Sequence, residues 1–268
     1  MPTLLGIPLD VNSSYLLGAA KAPAKIREAL HSDASNSWTE LGVDLGAAGA
    51  FADAGDLRLS DSLEKVPEDF AEVERAVGAL LAKNEALVSL GGDHSVTYPI
   101  LKAFSRYYSD LTIVHFDAHP DLYDEFEGSH VSHACPFARI MEERLAKRLV
   151  QLGIRTMNRH QREQAARFGV EVVEMRALPA YDRLKIHGPV YLSFDMDVLD
   201  DPAFVPGISH REPGGMTVRE AIAHLHAIEG TIVGADVVEY NPAQDVSGMT
   251  ATVAAKIVKE ILGKMIAS

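Results

Sequence analysis

The sequence lacks several features that whole classes of protein require. It has one cysteine, Cys135, in 268 residues, so an intrachain disulfide is excluded and a reducing compartment is indicated. Lys and Arg number 25 against 38 Asp and Glu, a formal net charge of -13, which leaves no basic surplus for nucleic acid or an anionic membrane. No apolar run approaches the ~18 residues of a membrane-spanning helix, and the N-terminus has no basic leader. We therefore expect a soluble, cytoplasmic protein with no nucleic-acid or membrane partner.

Three common nucleotide-binding and hydrolase signatures are also missing. The sequence has no GxGxxG after a strand, no GxxxxGK[ST] and no GxSxG. These absences argue against a dinucleotide-binding fold, a P-loop and a serine nucleophile on a strand-to-helix turn.

Apolar β-type runs alternate with amphipathic helical stretches along the whole chain. Val, Ile and Leu dominate these runs, as in strands buried on both faces of a parallel sheet. Predicted strands are Thr3–Ile7, Ala86–Leu90, Leu111–Phe116, Leu149–Ile154, Val170–Glu174, Val190–Phe194 and Ile232–Val238; predicted helices are Glu68–Lys83, one after the Thr217/Glu220 capping box, and about Thr250–Ile266. We predict one α/β domain over residues 1–268, with three α/β/α layers and a central, mostly parallel sheet of about eight strands.

Acidic and imidazole side chains follow four of the predicted strands. In an open parallel sheet, ligands bind beyond the carboxyl ends of the strands. One group, Asp117, His119 and Asp121, occupies every second position, so a continued strand would aim all three side chains at one face. The complete set is Asp93 and His94 after "ALVSL", Asp117, His119 and Asp121 after "LTIVHF", Asp195 and Asp197 after "VYLSF", and Glu239 after "GADVV".

Charge balance favours a pair of metal ions at this edge. Four converging carboxylates cannot all stay ionised unaided, and none of the three motifs contains Lys or Arg. Two divalent cations ~3.5–4 Å apart would balance them. The oxygen-rich set favours a hard ion such as Mn²⁺ over a thiolate zinc site, with Ni²⁺, Co²⁺ and Fe²⁺ left open. His115 is expected to be a buried supporting residue and Cys135 a small apolar one.

The motifs "GGDHS", "DAHPD" and "SFDMDVLDDPAF", in that order, resemble those of the ureohydrolase (arginase–agmatinase) superfamily. Segments such as "DAHPDLYDEFEG", "GISHREPGGMTVRE" and "GADVVEYNPAQDVSGMTATVAAK" are most similar to plant-type arginases. The resemblance implies an arginase-like fold, two Mn²⁺ ions per subunit, and hydrolysis of a small cationic guanidino substrate to urea and an amine. It also implies a homo-oligomer, either a trimer or a hexamer.

The resemblance further implies a role for each site residue. A hydroxide between the metals would attack the guanidinium carbon. His133, in "SHACPF", corresponds to a proton-shuttling histidine, and Glu239, in "VVEYNP", to the carboxylate that pairs with the guanidinium. The implied metal ligands are His94 and Asp121 for one ion, His119 and Asp197 for the other, with Asp117 and Asp195 bridging, and Asp121 is counted with His133 and Glu239 as catalytic.

Two departures from related sequences bear on the substrate. Tyr123, an expected substrate-binding residue, stands where animal-type arginases have an Asn that helps to recognise the α-carboxylate. The segment "ISHREPGG" replaces the "TGTPEPGG" usual in agmatinases and favours arginine. Asp201 is an apparent one-residue insertion beyond the second metal motif.

The leading hypothesis is a Mn²⁺-dependent arginase that converts L-arginine to L-ornithine and urea. The alternatives are an agmatinase or a hydrolase of another guanidino compound such as guanidinobutyrate. A metal-stabilised protein without catalysis and a deacetylase-type fold with a single zinc are less favoured, because the complete ligand set, His133 and Glu239 occur together.

Overall fold

Eight strands form one sheet in the computed structural model, which describes residues 1–180, 186–200 and 204–267. The strands are β1 (Pro2–Gly6), β2 (Ala52–Asp56), β3 (Ala86–Leu90), β4 (Thr112–Phe116), β5 (Arg148–Ile154), β6 (Glu171–Glu174), β7 (Pro189–Asp195) and β8 (Thr231–Val238). Their order is β2-β1-β3-β8-β7-β4-β5-β6. Every neighbouring pair is parallel, which confirms the predicted sheet. Asp201 lies outside the described residues.

Seven α-helices in the described part of the chain cover the two faces of this sheet. They are α1 (Ala22–Leu30), α2 (Val66–Leu81), α3 (Thr97–Phe104), α4 (Pro136–Glu142), α5 (Arg159–Phe168), α6 (Val218–His226) and α7 (Met249–Ala267). On one face α1 and α6 pack against α7, and on the other α2 to α5 pack in sequence. The three-layer α/β/α arrangement is therefore confirmed. None of the helices in the described ranges is long and apolar enough to cross a membrane.

The alternation of side chains along each strand builds two separate cores. Val114 of β4 belongs to the core under α1, α6 and α7, whereas the preceding residue, Ile113, belongs to the core under α2 to α5. Both side chains are fully buried, and burial of one such side chain stabilises the fold by about 1.5–3 kcal/mol. This two-sided burial explains why the strands have continuous apolar sequences.

The edge strand β2 is missing from the sequence prediction. Its sequence, "ADAGD", is half-buried at the first residue and exposed at the other four, and it pairs with β1. Arg27 Nε donates to Asp53 Oδ2 at 2.8 Å, and Arg27 Nη2 donates to the Gly55 carbonyl at 2.9 Å. Charged groups of this kind are common on sheet edges, where they discourage pairing with another chain.

The strand order determines where the site forms. The four strands followed by candidate ligands, β3, β8, β7 and β4, are consecutive neighbours at the centre of the sheet. Because all four are parallel, their carboxyl ends lie at the same edge. Residues as far apart in sequence as His94 and Glu239 can therefore meet there. The single-domain interpretation of residues 1–268 stays a prediction.

Candidate metal centre

The first half of the centre surrounds His94, which follows β3. The imidazole Nδ1 lies 3.2 Å from Asp117 Oδ2, 3.1 Å from Asp121 Oδ2 and 3.1 Å from Asp195 Oδ2. All four residues are buried. The ends of β4 and β7 thus supply three carboxylate oxygens around a ring nitrogen that comes from the end of β3.

The second half of the centre surrounds His119, in the loop after β4. Its Nδ1 lies 2.8 Å from Asp197 Oδ2 and 3.5 Å from Asp117 Oδ1. The ligand atoms of Asp117, His119 and Asp197 all lie within 4.8 Å of one another. Asp117 therefore contributes one oxygen to each half, as a bridging carboxylate would.

The sequence explanation for the "DAHPD" segment needs correction. Strand β4 ends at Phe116, so Asp117, His119 and Asp121 lie in the following loop and not on a continued strand. Asp121 has a left-handed backbone with φ of 48°, a conformation that costs a non-glycine residue on the order of 1–3 kcal/mol and is concentrated at functional sites. The loop backbone, and not strand alternation, brings these side chains together.

The residues present fit divalent cations. His94 Nδ1 is fully buried and makes no hydrogen bond within the described residues, although three carboxylate oxygens lie within 3.2 Å of it. Such an arrangement of lone pairs is favourable when a cation lies among them. Carboxylate oxygens with two imidazole nitrogens suit a hard divalent ion.

Among the described residues, no Lys or Arg side chain forms an ion pair with these carboxylates, whose ion-pair partners are all histidine rings. Burial and the neighbouring charges of Asp197 and Asp117 raise the pKa of Asp195 well above its ordinary value. Burial and Asp117 raise the pKa of Asp197 to about 6. The guanidinium of Arg155 is near, but it donates to the backbone carbonyls of Asp197 at 2.6 Å and Val198 at 3.3 Å. Bound cations would supply the missing positive charge.

A histidine–carboxylate pair lies beside the metal centre. His133 Nδ1 is 3.0 Å from Glu239 Oε1, and the same oxygen accepts a 2.9 Å hydrogen bond from the backbone N–H of His94. Burial alone would lower the pKa of His133, but the charge and hydrogen bond of Glu239 raise it to about 9. Glu239 has a left-handed backbone, with φ of 63°. Its Oε2 has no hydrogen-bond partner in the described ranges.

The metal centre and the His133–Glu239 pair both open into a pocket of about 150 Å³. Tyr123 lines it, and its hydroxyl accepts a 2.7 Å hydrogen bond from Asn158 Nδ2; its expected role in substrate binding stays a prediction. No Lys or Arg is found among the described residues that line the pocket. The lining residues are Ser14, His119, Asp121, Tyr123, Phe126, His133, Ala134, Thr156, Gln161, Asp195, Asp197, His210 and Glu239.

Several of these lining residues were not anticipated from the sequence. Ser14 Oγ lies 2.9 Å from His133 Nε2, and the His210 ring lies 5.0 Å from that of His133. His210 belongs to "GISHREPGG", a segment whose sequence bears on the choice of substrate but gives His210 no role of its own. Ser14 comes from an N-terminal loop that carries no pattern pointing to a site.

The supporting residues lie where they were expected. His115 is fully buried, and its two ring nitrogens contact Asp117 Oδ2 at 2.7 Å and Gln151 Nε2 at 3.0 Å. His115 lies with His94 and Asp117 in a group that could hold a metal ion, but both of its ring nitrogens are engaged by the protein. Burial raises the pKa of the Cys135 thiol to about 12, so this cysteine is unsuited to act as a nucleophile.

The fold is a parallel sheet between two layers of helices. Two histidine–aspartate clusters that share Asp117 lie at the carboxyl edge of the sheet, and together these features define a class of binuclear metal-dependent hydrolases. Within that class, residues 2–263 match the Arginase family, and the chain belongs to this family. It is an arginase-type ureohydrolase, a hydrolase that acts on guanidino compounds.

Comparison with individual proteins gives the same family. The chain is 46% identical over 276 residues to "Arginase 1, mitochondrial" of Arabidopsis thaliana, covering 98% of this chain and 80% of that protein. It is 36% identical over 265 residues to an agmatinase of Bacillus subtilis, covering 97% and 90%. The solved arginase structure from Medicago truncatula superimposes with a TM-score of 0.91 at 42% identity, covering 98% and 87% of the two chains.

The expected cytoplasmic location is wrong by this comparison. The Arabidopsis relative is named as a mitochondrial protein. Organelle-targeting segments are removed on import and are not part of the folded enzyme. The absence of a basic leader is therefore no evidence for the cytoplasm.

Proposed function

We propose that the protein is a Mn²⁺-dependent arginase that hydrolyses the guanidinium group of L-arginine to give L-ornithine and urea. The observation that carries this proposal is the position of Glu239. Its carboxylate is buried beside the two histidine–aspartate clusters and has one oxygen engaged and the other without a partner in the described part of the chain. A guanidinium group is planar, permanently charged and able to donate two parallel hydrogen bonds, so a buried carboxylate is its natural partner.

The cations would be held by six residues in two overlapping groups. His94 with Asp121 would bind one ion and His119 with Asp197 the other, and Asp117 with Asp195 would be shared. When bound, a pair of divalent cations provides a nucleophile from water near neutral pH. The identity of the metal as Mn²⁺ is part of the proposal and is supported by the hard oxygen-rich donor set.

Glu239 and His133 would act on the substrate. Glu239 Oε2 would accept from the guanidinium and fix its plane, while Oε1 remains bound to the His94 N–H and to His133. His133, whose pKa is raised to about 9, carries a proton at neutral pH and would donate it to the leaving amine. Asp121 is proposed as catalytic only through its part in positioning the first cation.

Agmatine is the alternative substrate, and one observation favours it. The described lining of the pocket contains no Lys or Arg, so an α-carboxylate would have to be bound by neutral groups such as Tyr123 and Gln161. Agmatine has no such carboxylate. L-Arginine is the first choice because the more similar relative is named an arginase, at 46% identity, and the agmatinase is 36% identical.

A panel of guanidino substrates tests the proposal. Metal-free enzyme would be loaded with Mn²⁺, Ni²⁺, Co²⁺, Fe²⁺ or Zn²⁺ singly, and urea release measured from L-arginine, agmatine and guanidinobutyrate. The highest kcat/KM is expected for L-arginine with Mn²⁺. A far higher kcat/KM for agmatine would show that the enzyme is an agmatinase and not an arginase. Sedimentation of the same samples would test the proposed homo-oligomer, a trimer or hexamer.

A further inference from the structure

A groove at the amino edge of the sheet has no role in the site described so far. Ser109 lies shortly before β4, Lys147 directly precedes β5 and Phe168 comes before β6, and all three line the groove. Its volume is about 760 Å³. Because these strands are parallel, their starts lie at the edge opposite their carboxyl ends. The groove is therefore separate from the metal centre.

Positive charge collects in this groove, although the chain as a whole has a formal net charge of -13. Arg144, Lys147 and Arg167 line it. Glu142 is the one acidic residue among the described lining residues, and its Oε1 lies 3.6 Å from Arg167 Nη1 and its Oε2 2.7 Å from Arg139 Nη2. Arg144 and Lys147 form no ion pair with any residue in the described ranges. Two cations without a carboxylate partner therefore line one groove.

Arg144 occupies a backbone position that favours glycine. Helix α4 ends with a hydrogen bond from the Arg144 N–H to the Met141 carbonyl at 3.2 Å and one from the Leu145 N–H to the Ile140 carbonyl at 3.0 Å, which is a Schellman motif. The position of Arg144 in this motif is left-handed, with φ of 55°, and glycine is usual there because it has no Cβ. Such non-glycine residues are concentrated at functional sites. An arginine here, without an ion-pair partner in the described part of the chain, points to a ligand for its charge.

We propose that this groove binds a small anion that carries a phosphate group. Donors come from three separate parts of the chain: the guanidinium of Arg144 after α4, the ammonium of Lys147 before β5 and the hydroxyl of Ser109 before β4. A phosphate group is tetrahedral and can accept from several directions at once, and both Arg and Lys are common phosphate binders. A single planar carboxylate would be satisfied by one guanidinium fork. The proposal does not depend on the metal centre.

The expected effect of removing one cation is moderate. Arg144 and Lys147 are exposed, so solvent screens each contact with the anion. Loss of either side chain should weaken phosphate binding by roughly 5- to 10-fold. Added NaCl should weaken the binding by the wild type as well, because screening increases with ionic strength.

The experiment compares two variants that remove a cation, Arg144→Gly and Lys147→Ala, with two that leave the groove unchanged. Arg144→Gly removes the charge and also relieves the left-handed backbone, so weaker binding cannot result from a damaged helix end. Asn84→Gly is its matched control, because Asn84 follows α2 with φ of 58° and does not line the groove. Lys83→Ala is the control for loss of charge, because Lys83 is exposed and lies outside the groove.

The readout is calorimetric titration of each Mn²⁺-loaded protein with inorganic phosphate at low ionic strength, with Tm measured in the presence and absence of phosphate. The wild type, Asn84→Gly and Lys83→Ala should bind with equal affinity, and Arg144→Gly and Lys147→Ala roughly 5- to 10-fold more weakly. Phosphate should raise the Tm of the wild type by mass action. Without phosphate, the Tm of Arg144→Gly should not fall below that of the wild type. Phosphate bound at the metal centre would affect all five proteins alike.

A wild type that bound no phosphate, or an equal affinity in the wild type and Arg144→Gly, would overturn the proposal. In the second case, a lower Tm of Arg144→Gly would show that Arg144 serves only the end of α4. A protein that bound phosphate in this groove but hydrolysed no guanidine would refute the proposed activity and leave the phosphate site standing.

Discussion

Replacing Glu239 by Gln would keep the length of the side chain and change one of its two terminal atoms from a hydrogen-bond acceptor into a donor. The His94 backbone N–H can only donate, and it bonds to Oε1 at 2.9 Å. The amide oxygen of the new side chain must therefore take the Oε1 position. Its NH₂ group then occupies the position of Oε2, where the guanidinium is proposed to donate. An acceptor for the substrate becomes a donor that opposes it.

The magnitude follows from the burial of this group. Glu239 is 5% exposed, so solvent screens the interaction little. A hydrogen bond to a charged group contributes about 1.5–3 kcal/mol, and a buried donor without an acceptor costs about 1–3 kcal/mol. The two contributions together give a loss of about 2.5–6 kcal/mol in the transition state, which corresponds to a fall in kcat/KM of roughly 10²- to 10⁴-fold.

The assay is urea release from L-arginine by Mn²⁺-loaded enzyme, with cation content and Tm measured on the same samples. Glu171→Gln is the control for loss of charge, since Glu171 is exposed on β6 and pairs with Arg148, and it should retain wild-type kcat/KM. If Glu239→Gln binds its cations normally and remains within threefold of wild type, Glu239 does not recognise the guanidinium.

Three further predictions concern packing, proton transfer and pH. A Cβ on Gly92 would lie 1.9 Å from the Leu9 backbone oxygen, so Gly92→Ala should lower the free energy of unfolding in urea by at least ~1–3 kcal/mol; unchanged stability would contradict the close contact. Ser14→Ala removes the hydroxyl 2.9 Å from His133 Nε2 and should lower kcat by roughly 2- to 10-fold, whereas Ser13→Ala, whose hydroxyl has no partner in the described residues, should not; equal kinetics would exclude a role for Ser14. A hydrogen bond from Arg219 lowers the pKa of Glu40 from 4.5 to about 2, so the stability it contributes is present above pH 4.5 and is lost as the pH falls towards 2. Calorimetry should find Glu40→Gln less stable than wild type at pH 7, with the difference shrinking below pH 4.5; a constant difference would refute this.

The parts of the fold that the sequence predicts are those with a strong local pattern. Strand β3 matches its predicted range, Ala86–Leu90, because both faces are buried and the residues are almost continuously apolar. The capping box of Thr217 and Glu220 is present as expected, with both reciprocal hydrogen bonds formed. Candidate ligands were found because each follows such a strand.

Elements without an apolar stripe could not be found in this way. Strand β2 is exposed at the sheet edge and contains no Val, Ile or Leu. Helix α5 has mostly polar residues, and its signals are at its ends: a capping box of Asn158 and Gln161, and Gly169 in a left-handed conformation. These signals mark the two ends of the helix and leave its interior without an apolar pattern.

Contributions to the site from loops were predictable only in part. The sequence predicts Asp121 as a ligand, but its left-handed backbone depends on the packing of the whole loop. Ser14 reaches His133 from 119 positions away in the sequence. No local periodicity encodes such a contact, because it depends on how the N-terminal loop crosses the end of the sheet.

The position of β8 has a consequence for the order of assembly. It is the last strand in the chain, yet it lies between β3 and β7, so during synthesis the earlier strands can form only two separate groups, β2-β1-β3 and β7-β4-β5-β6. His94 belongs to the first group, and Asp117, Asp121 and Asp195 belong to the second. Insertion of β8 joins the two groups and brings His94 to the carboxylates of the second group, whereas the residues around His119 all come from the second group itself. A cation that binds only the joined form stabilises it by mass action. Metal supply should therefore control how long the two groups of strands stay joined in a newly made chain.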